Sequence, residues 1–230
     1  MGVFVCLGIG MLISLLTRGA TDPKAVPTVG RVIVSALLFQ VVLLAMIWRF
    51  LREQNIRWSE GFGLRRDRVN AIGLGALVIG VFLPIAALLQ GAAISVMKHF
   101  NIETPMQLAL QAMMNSSSAS EIAVLGVITV IVAPIAEETL FRGILYPTIK
   151  QLGFPRAAVW GTSVLFALIH NNLAAFVPLM LMAIVLVWLY EKSDNLLAPI
   201  VAHIIFNAVN FGRAIYMILH DNAHSIPVQP

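Results

Sequence analysis

Charged residues are scarce in this chain, making up 11% of 230 positions against 59% that are hydrophobic. A soluble domain carries about 25% charged residues, and the mean hydropathy here is +0.89. Composition therefore excludes an ordinary soluble domain and indicates a polytopic membrane protein. Cysteine is nearly absent: Cys6 stands alone in the first apolar run, so no disulfide within the chain is possible. Aspartate is rare too, and Asp22, Asp67, Asp194 and Asp221 all lie outside the apolar runs or at their edges. That excludes an intramembrane aspartyl dyad. No HExxH sequence occurs, so the usual helical zinc-protease signature is missing. No long polar segment, repeat or low-complexity tract divides the chain, which reads as a single integrated membrane domain. No Lys or Arg precedes the apolar residues 3–16, which favours a signal anchor or short first span over a cleavable signal.

What is present is a series of apolar runs, at 3–17, 32–50, 69–97, 121–147, 155–170, 173–190 and 195–219. They predict an all-α bundle of about seven transmembrane helices. Residues 1–120 hold N-terminal transmembrane and interfacial helices, and 121–219 hold the polar residues of interest. The net charge of +4 comes from basic residues in short loops, so it speaks for membrane orientation rather than nucleic acid. Arg49, Arg52, Arg57, Arg65, Arg66 and Arg68 outnumber Arg18, Lys24 and Arg31, which places the loop at 49–68 in the cytoplasm. The N-terminus is then inside and the C-terminus outside. Met106, Leu110, Met113 and Met114 recur at helical spacing and predict one amphipathic helix at the interface. Ser118 with Glu121 fits a capping box opening the fourth long run. Gly153 suits a C-terminal cap, Pro155 a first turn, and Ser193 or Asp194 the cap of the last helix.

The sequence Ala133-Pro-Ile-Ala-Glu137-Glu138-Thr-Leu-Phe-Arg142 sits inside an apolar run. A charge at mid-bilayer costs about 2.5–3.5 kcal/mol on insertion scales, so this group calls for a reason. Glu138 and Arg142 are four apart and share a helix face, where they can pair. Glu137 points about 100° away and has no partner in its own helix. Pro134 removes one backbone bond and is expected to kink the helix beside the carboxylates. Elsewhere, the fifth run ends in Phe166-Ala-Leu-Ile-His170, and the last contains His203-Ile-Ile-Phe-Asn207 on one helix face. At about 1.5 Å per residue, Glu137, Glu138, Arg142, His170, His203 and Asn207 fall at overlapping depths in the cytoplasmic half of the bilayer.

Each of these residues has a bland alternative: a hydrogen-bonded histidine, an asparagine gluing two helices, a structural ion pair. Six at one depth suggest hydrolysis instead. A carboxylate without a partner suits general-base work on water. His170 is placed to share that water or to protonate a leaving amine. His203 and Asn207 supply donors of the kind that stabilise an oxyanion. Three other readings stay open: a zinc metallopeptidase with Glu137, His170 and His203 as ligands, a non-catalytic membrane scaffold or immunity-type protein, and a proton-coupled transporter. Ser163 lacks a nucleophile-elbow context, and His99, His220 and His224 are assigned no role.

Taken together, Glu137-Glu138-Thr-Leu-Phe-Arg142, Phe166 to His170 and His203 to Asn207 resemble the EExxxR, FxxxH and HxxxN motifs of the type II CAAX prenyl endopeptidases. The wider group is the CAAX protease and bacteriocin-processing (Abi) family. The resemblance covers residues 121–210. It implies an all-helical intramembrane glutamate protease needing no metal, in which Glu137 and His170 activate water. His203 and Asn207 would form the oxyanion site, with Glu138 and Arg142 in support. Eukaryotic relatives remove the last three residues of prenylated CAAX proteins, so the implied partner is a membrane-anchored or lipidated protein or peptide in the lipid bilayer. Prokaryotic relatives are short and compact, as this chain is, which implies a prokaryotic cell membrane.

Overall fold

A computed structural model describes residues 28–102, 108–116 and 118–224. The run at 3–17 and Met106 lie outside the described residues. The described elements are helices: α1 (Val29–Glu53), α2 (Trp58–Gly61), α3 (Arg68–His99), α4 (Leu108–Met114), α5 (Ala119–Gln151), α6 (Pro155–Ile169), α7 (Leu173–Ser193) and α8 (Leu197–His224). Five of them are long and apolar enough to cross a membrane, and α6 is a shorter apolar helix of 15 residues. The chain is an all-α integral membrane bundle.

Local chemistry accounts for the helix ends. The Thr28 hydroxyl accepts from the Arg31 amide at 3.4 Å, and Asn172 Oδ1 accepts from Ala175 at 3.1 Å. Gly153 takes φ +92°, the left-handed conformation that closes α5 before Pro155 opens α6. The capping box at α5 is half formed: Ser118 Oγ accepts from the Glu121 amide, but the Glu121 carboxylate turns to Ser116 Oγ. Ser193 and Asp194 do not cap α8. Asp194 adopts φ 49° and ends α7, and Asn195 Oδ1 accepts from the Leu197 amide at 2.9 Å.

The turn between α7 and α8 is sunk into the protein, with Asn195 and Leu196 fully buried. A buried turn must satisfy its backbone polar groups, and the connection from α2 to α3 does this. The Leu196 amide donates to Phe62 O at 3.0 Å, Asn195 Nδ2 donates to Arg66 O, and Arg66 pairs with Asp194. Two glycines permit the approach. A Cβ on Gly63 (φ +63°) would lie 2.2 Å from Asp194 O, and one on Gly75 2.3 Å from Ala198 O. This clasp sets the height of α8 against α3, and with it the height of every side chain α8 carries. Above it one apolar core draws on Leu43 and Ile47 of α1, Ile79 of α3, Ala136 and Phe141 of α5, Phe166 of α6, Met182 of α7 and Phe206 of α8.

The helix α5 is not regular. Five-residue π-helical turns at Ile128–Val132 and Phe141–Leu145 bracket the α-helical stretch Ala133–Leu140. Single π turns inside α-helices are often found at functional sites. Here both glutamates lie between them.

Candidate active site

The buried part of the site is a chain of polar contacts through three side chains. Arg142 Nη1 donates to Glu138 Oε1 at 2.8 Å, and the same oxygen lies 2.8 Å from His203 Nδ1. Glu138, Arg142 and His203 are at most 1% exposed. Arg142 Nη2 donates to the Ala183 carbonyl at 3.0 Å, which ties the pair to α7. Its guanidinium stacks 4.9 Å from the Phe166 ring centroid, close enough for a cation–π contact. The i, i+4 pairing expected from the sequence is therefore present and fully inside the protein. A buried pair of this kind is held by its geometry, since removing one partner strands the other.

Glu138 also decides how His203 presents itself. An ionised Glu138 opposite Arg142 can only accept, so Nδ1 of His203 is the donor and carries a proton. That directs Nε2 toward Glu137, whose Oε2 lies 3.8 Å away. The distance is too long for a hydrogen bond. Despite the 100° offset between the two glutamates, one imidazole lies near both, bonded to Glu138 and 3.8 Å from Glu137. Glu137 is the more open of the two, with 16% of its side chain exposed, and among the described residues its Oε2 has no hydrogen-bond partner.

His170 closes α6 and is half-buried. Its Nδ1 lies 2.7 Å from the Phe166 carbonyl oxygen, an acceptor only, so Nδ1 again holds the proton and Nε2 is left free. The Phe166 ring packs against both imidazoles, with centroids 4.8 Å from His170 and 5.6 Å from His203. The first residue of the FxxxH motif thus holds the spacing between the two histidines and also covers Arg142.

Asn207 stands apart. Its Nδ2 donates to the Thr129 carbonyl at 2.8 Å, and the backbone of α5 explains why. In the first π turn the Ala133 amide reaches back to Ile128 O. The next donor in that register belongs to residue 134, a proline with no N–H. Thr129 O has no donor within its own helix, and the α8 carboxamide supplies one. Thr129 gives no signal in the sequence as a site residue, since only its carbonyl takes part. Among the described residues no three His, Cys, Asp or Glu side chains converge closely enough to hold a metal ion.

Residues 119–209 match a family model described as type II CAAX prenyl endopeptidase Rce1-like. This part of the chain is similar to that family. The matched segment contains all three motifs, from Glu137 to Asn207, and every contact just described lies within it. No curated protein and no solved structure matches the chain. The Rce1-like family is one of proteases, and the matched segment carries the motif residues on α5, α6 and α8 of a membrane bundle.

Proposed function

We propose that the protein is an intramembrane endopeptidase that hydrolyses a peptide bond near the cytoplasmic membrane face with water activated by Glu137. The observation that carries this reading is the asymmetry of the two glutamates. Glu138 is fully buried with one oxygen held by both Arg142 and His203, whereas Glu137 has no arginine partner, keeps 16% of its side chain exposed and sets Oε2 3.8 Å from His203 Nε2. Glu137 takes a proton from a water as its oxygen attacks the scissile carbonyl. His170 orients that water through Nε2, and the proton taken by Glu137 passes by way of that nitrogen to the leaving amine as the C–N bond breaks. The remaining N–H of Asn207, and His203 once its Nε2 also carries a proton, stabilise the oxyanion, a role in which losing one donor costs about 100- to 1000-fold in rate.

The substrate in this reading is a membrane-anchored or lipidated protein or peptide, of the prenylated CAAX kind that the family name describes. Helix α5 has 33 residues and is about 50 Å long. Centred on a hydrocarbon layer of about 30 Å, it puts Glu137 in the half nearer Gln151. That is also the side of Arg57, Arg65, Arg66 and Arg68, and supports a cytoplasmic-facing site in a prokaryotic cell membrane.

The test is the Glu137→Gln variant in detergent. It is expected to abolish cleavage of a membrane-tethered peptide while leaving thermal unfolding unchanged. Full activity in that variant would remove the reading.

A further inference from the structure

Helix α1 is apolar along its buried face, where Val29, Leu43, Ile47 and Leu51 point inward, except at one position. Gln40 is 5% exposed, and among the described residues its Oε1 has no hydrogen-bond partner. An unpaired buried amide oxygen is destabilising, and a bilayer interior holds no water to satisfy it. Packing does not ask for an amide there; a leucine would fill the same space.

The position of Gln40 is fixed by the helices around it. Helix α1 packs along α5, including its first π turn and the stretch that carries the glutamates. The two helices run the same way. At one end a Cβ on Gly30 would lie 3.7 Å from the Glu121 carboxylate, and at the other Leu51 shares a core with Phe62, which lies against Gly143. Ten residues beyond Gly30 is about 15 Å, which brings Gln40 level with the end of the first π turn. That is the level of Thr129 and Asn207, within about two helical turns of Glu137.

We propose that Gln40 binds substrate: its Oε1 accepts a hydrogen bond from a backbone N–H of the peptide lying extended in the site. The inference rests on the peptidase reading above. A peptide must leave its helix to be cut, and every N–H then exposed in the dry interior needs an acceptor. The imidazoles of His170 and His203 near Glu137 are taken up by the reacting water and oxyanion in that reading, and Asn207 Nδ2 is turned to Thr129. Gln40 offers a further acceptor from α1, on a helix packed against α5.

The experiment uses the full chain in detergent and a synthetic peptide ending in a prenylated CAAX sequence, together with esters of it in which single backbone N–H groups are replaced by oxygen. Gln40→Leu is expected to raise KM about tenfold with kcat little changed. One ester position should raise KM by a similar factor in the wild-type protein and have no further effect in Gln40→Leu. Identical ester penalties in the two proteins, or an unchanged KM in Gln40→Leu, would overturn the proposal. Should Gln40→Leu fail to fold, the wild-type ester series decides alone: no position with a KM penalty means no such bond. Activity in Glu137→Gln sinks the peptidase reading itself. An inactive Glu137→Gln beside an unaffected Gln40→Leu sinks only this proposal.

Discussion

His203 Nδ1 lies 2.8 Å from Glu138 Oε1, on the very oxygen that Arg142 holds at 2.8 Å. The second glutamate of the EExxxR motif is thus spent on orientation. It holds a histidine from another helix by Nδ1, and the arginine holds that glutamate in place. Glu138 and His203 come from two helices, α5 and α8, and the height of α8 against α3 is set by a backbone clasp some distance away.

Removing the arginine should therefore do more harm than removing an ordinary surface charge. Arg142→Ala leaves Glu138 buried without its counter-charge and is expected to destabilise the protein by about 3–5 kcal/mol, with loss of activity. Glu138→Gln keeps the shape but frees the tautomer of His203. Its stability loss should be smaller than that of Arg142→Ala, while its cleavage rate still falls. Thermal unfolding in one detergent, read beside the rate of peptide cleavage, separates the two effects. Equal stability of Arg142→Ala and wild type would contradict the argument.

The link between Asn207 and Thr129 makes a claim about the backbone that a pair of substitutions can check. Asn207→Ala leaves Thr129 O without a donor in a membrane interior, a loss of about 1–3 kcal/mol. Pro134→Ala restores an N–H in the register that Thr129 O lacks. In that background Asn207→Ala should cost less than half as much. A double-mutant cycle that is additive within about 0.5 kcal/mol would show the two sites to be independent.

The zinc alternative makes a separate and simple prediction. The side chains of Glu137, His170 and His203 do not gather into a metal-binding set among the described residues. Purified protein is expected to cleave its peptide at an unchanged rate after treatment with a strong chelator. Metal analysis should find less than one equivalent of zinc. Loss of activity to the chelator, restored by added zinc, would favour the metallopeptidase reading.

Much of the fold was legible because membrane helices are written in composition. The runs at 32–50, 69–97, 121–147, 155–170, 173–190 and 195–219 each correspond to a helix within a few residues. The pairing of Glu138 with Arg142 was legible too, since helical spacing alone puts them on one face. What escaped was anything that depends on backbone atoms. The π turns of α5, the orphaned carbonyl of Thr129 and the choice of Asn195 as the cap of α8 follow from register between helices, which no single run encodes. Gln40 escaped for another reason. One amide in an apolar run reads as glue between helices until its neighbours are known to leave it unpaired.

The clasp between the α2–α3 connection and the α7–α8 turn offers the last prediction, because it lies away from the motif residues yet governs where they meet. Gly75 faces the Ala198 carbonyl so closely that a Cβ would come within 2.3 Å of it, and neither backbone has a flexible end to move aside. Gly75→Ala must push α8 off α3. Overpacking of this sort typically costs about 1–3 kcal/mol, and the displacement is carried along α8 to His203. The expected result is a lowered unfolding temperature together with a fall in kcat larger than the fraction of unfolded protein explains. Gly73, two residues earlier on the same helix, has nothing within 4 Å of the equivalent position, so Gly73→Ala serves as the control and should be silent in both measurements. If Gly75→Ala were also silent, the clasp could not be what holds His203 against Glu138.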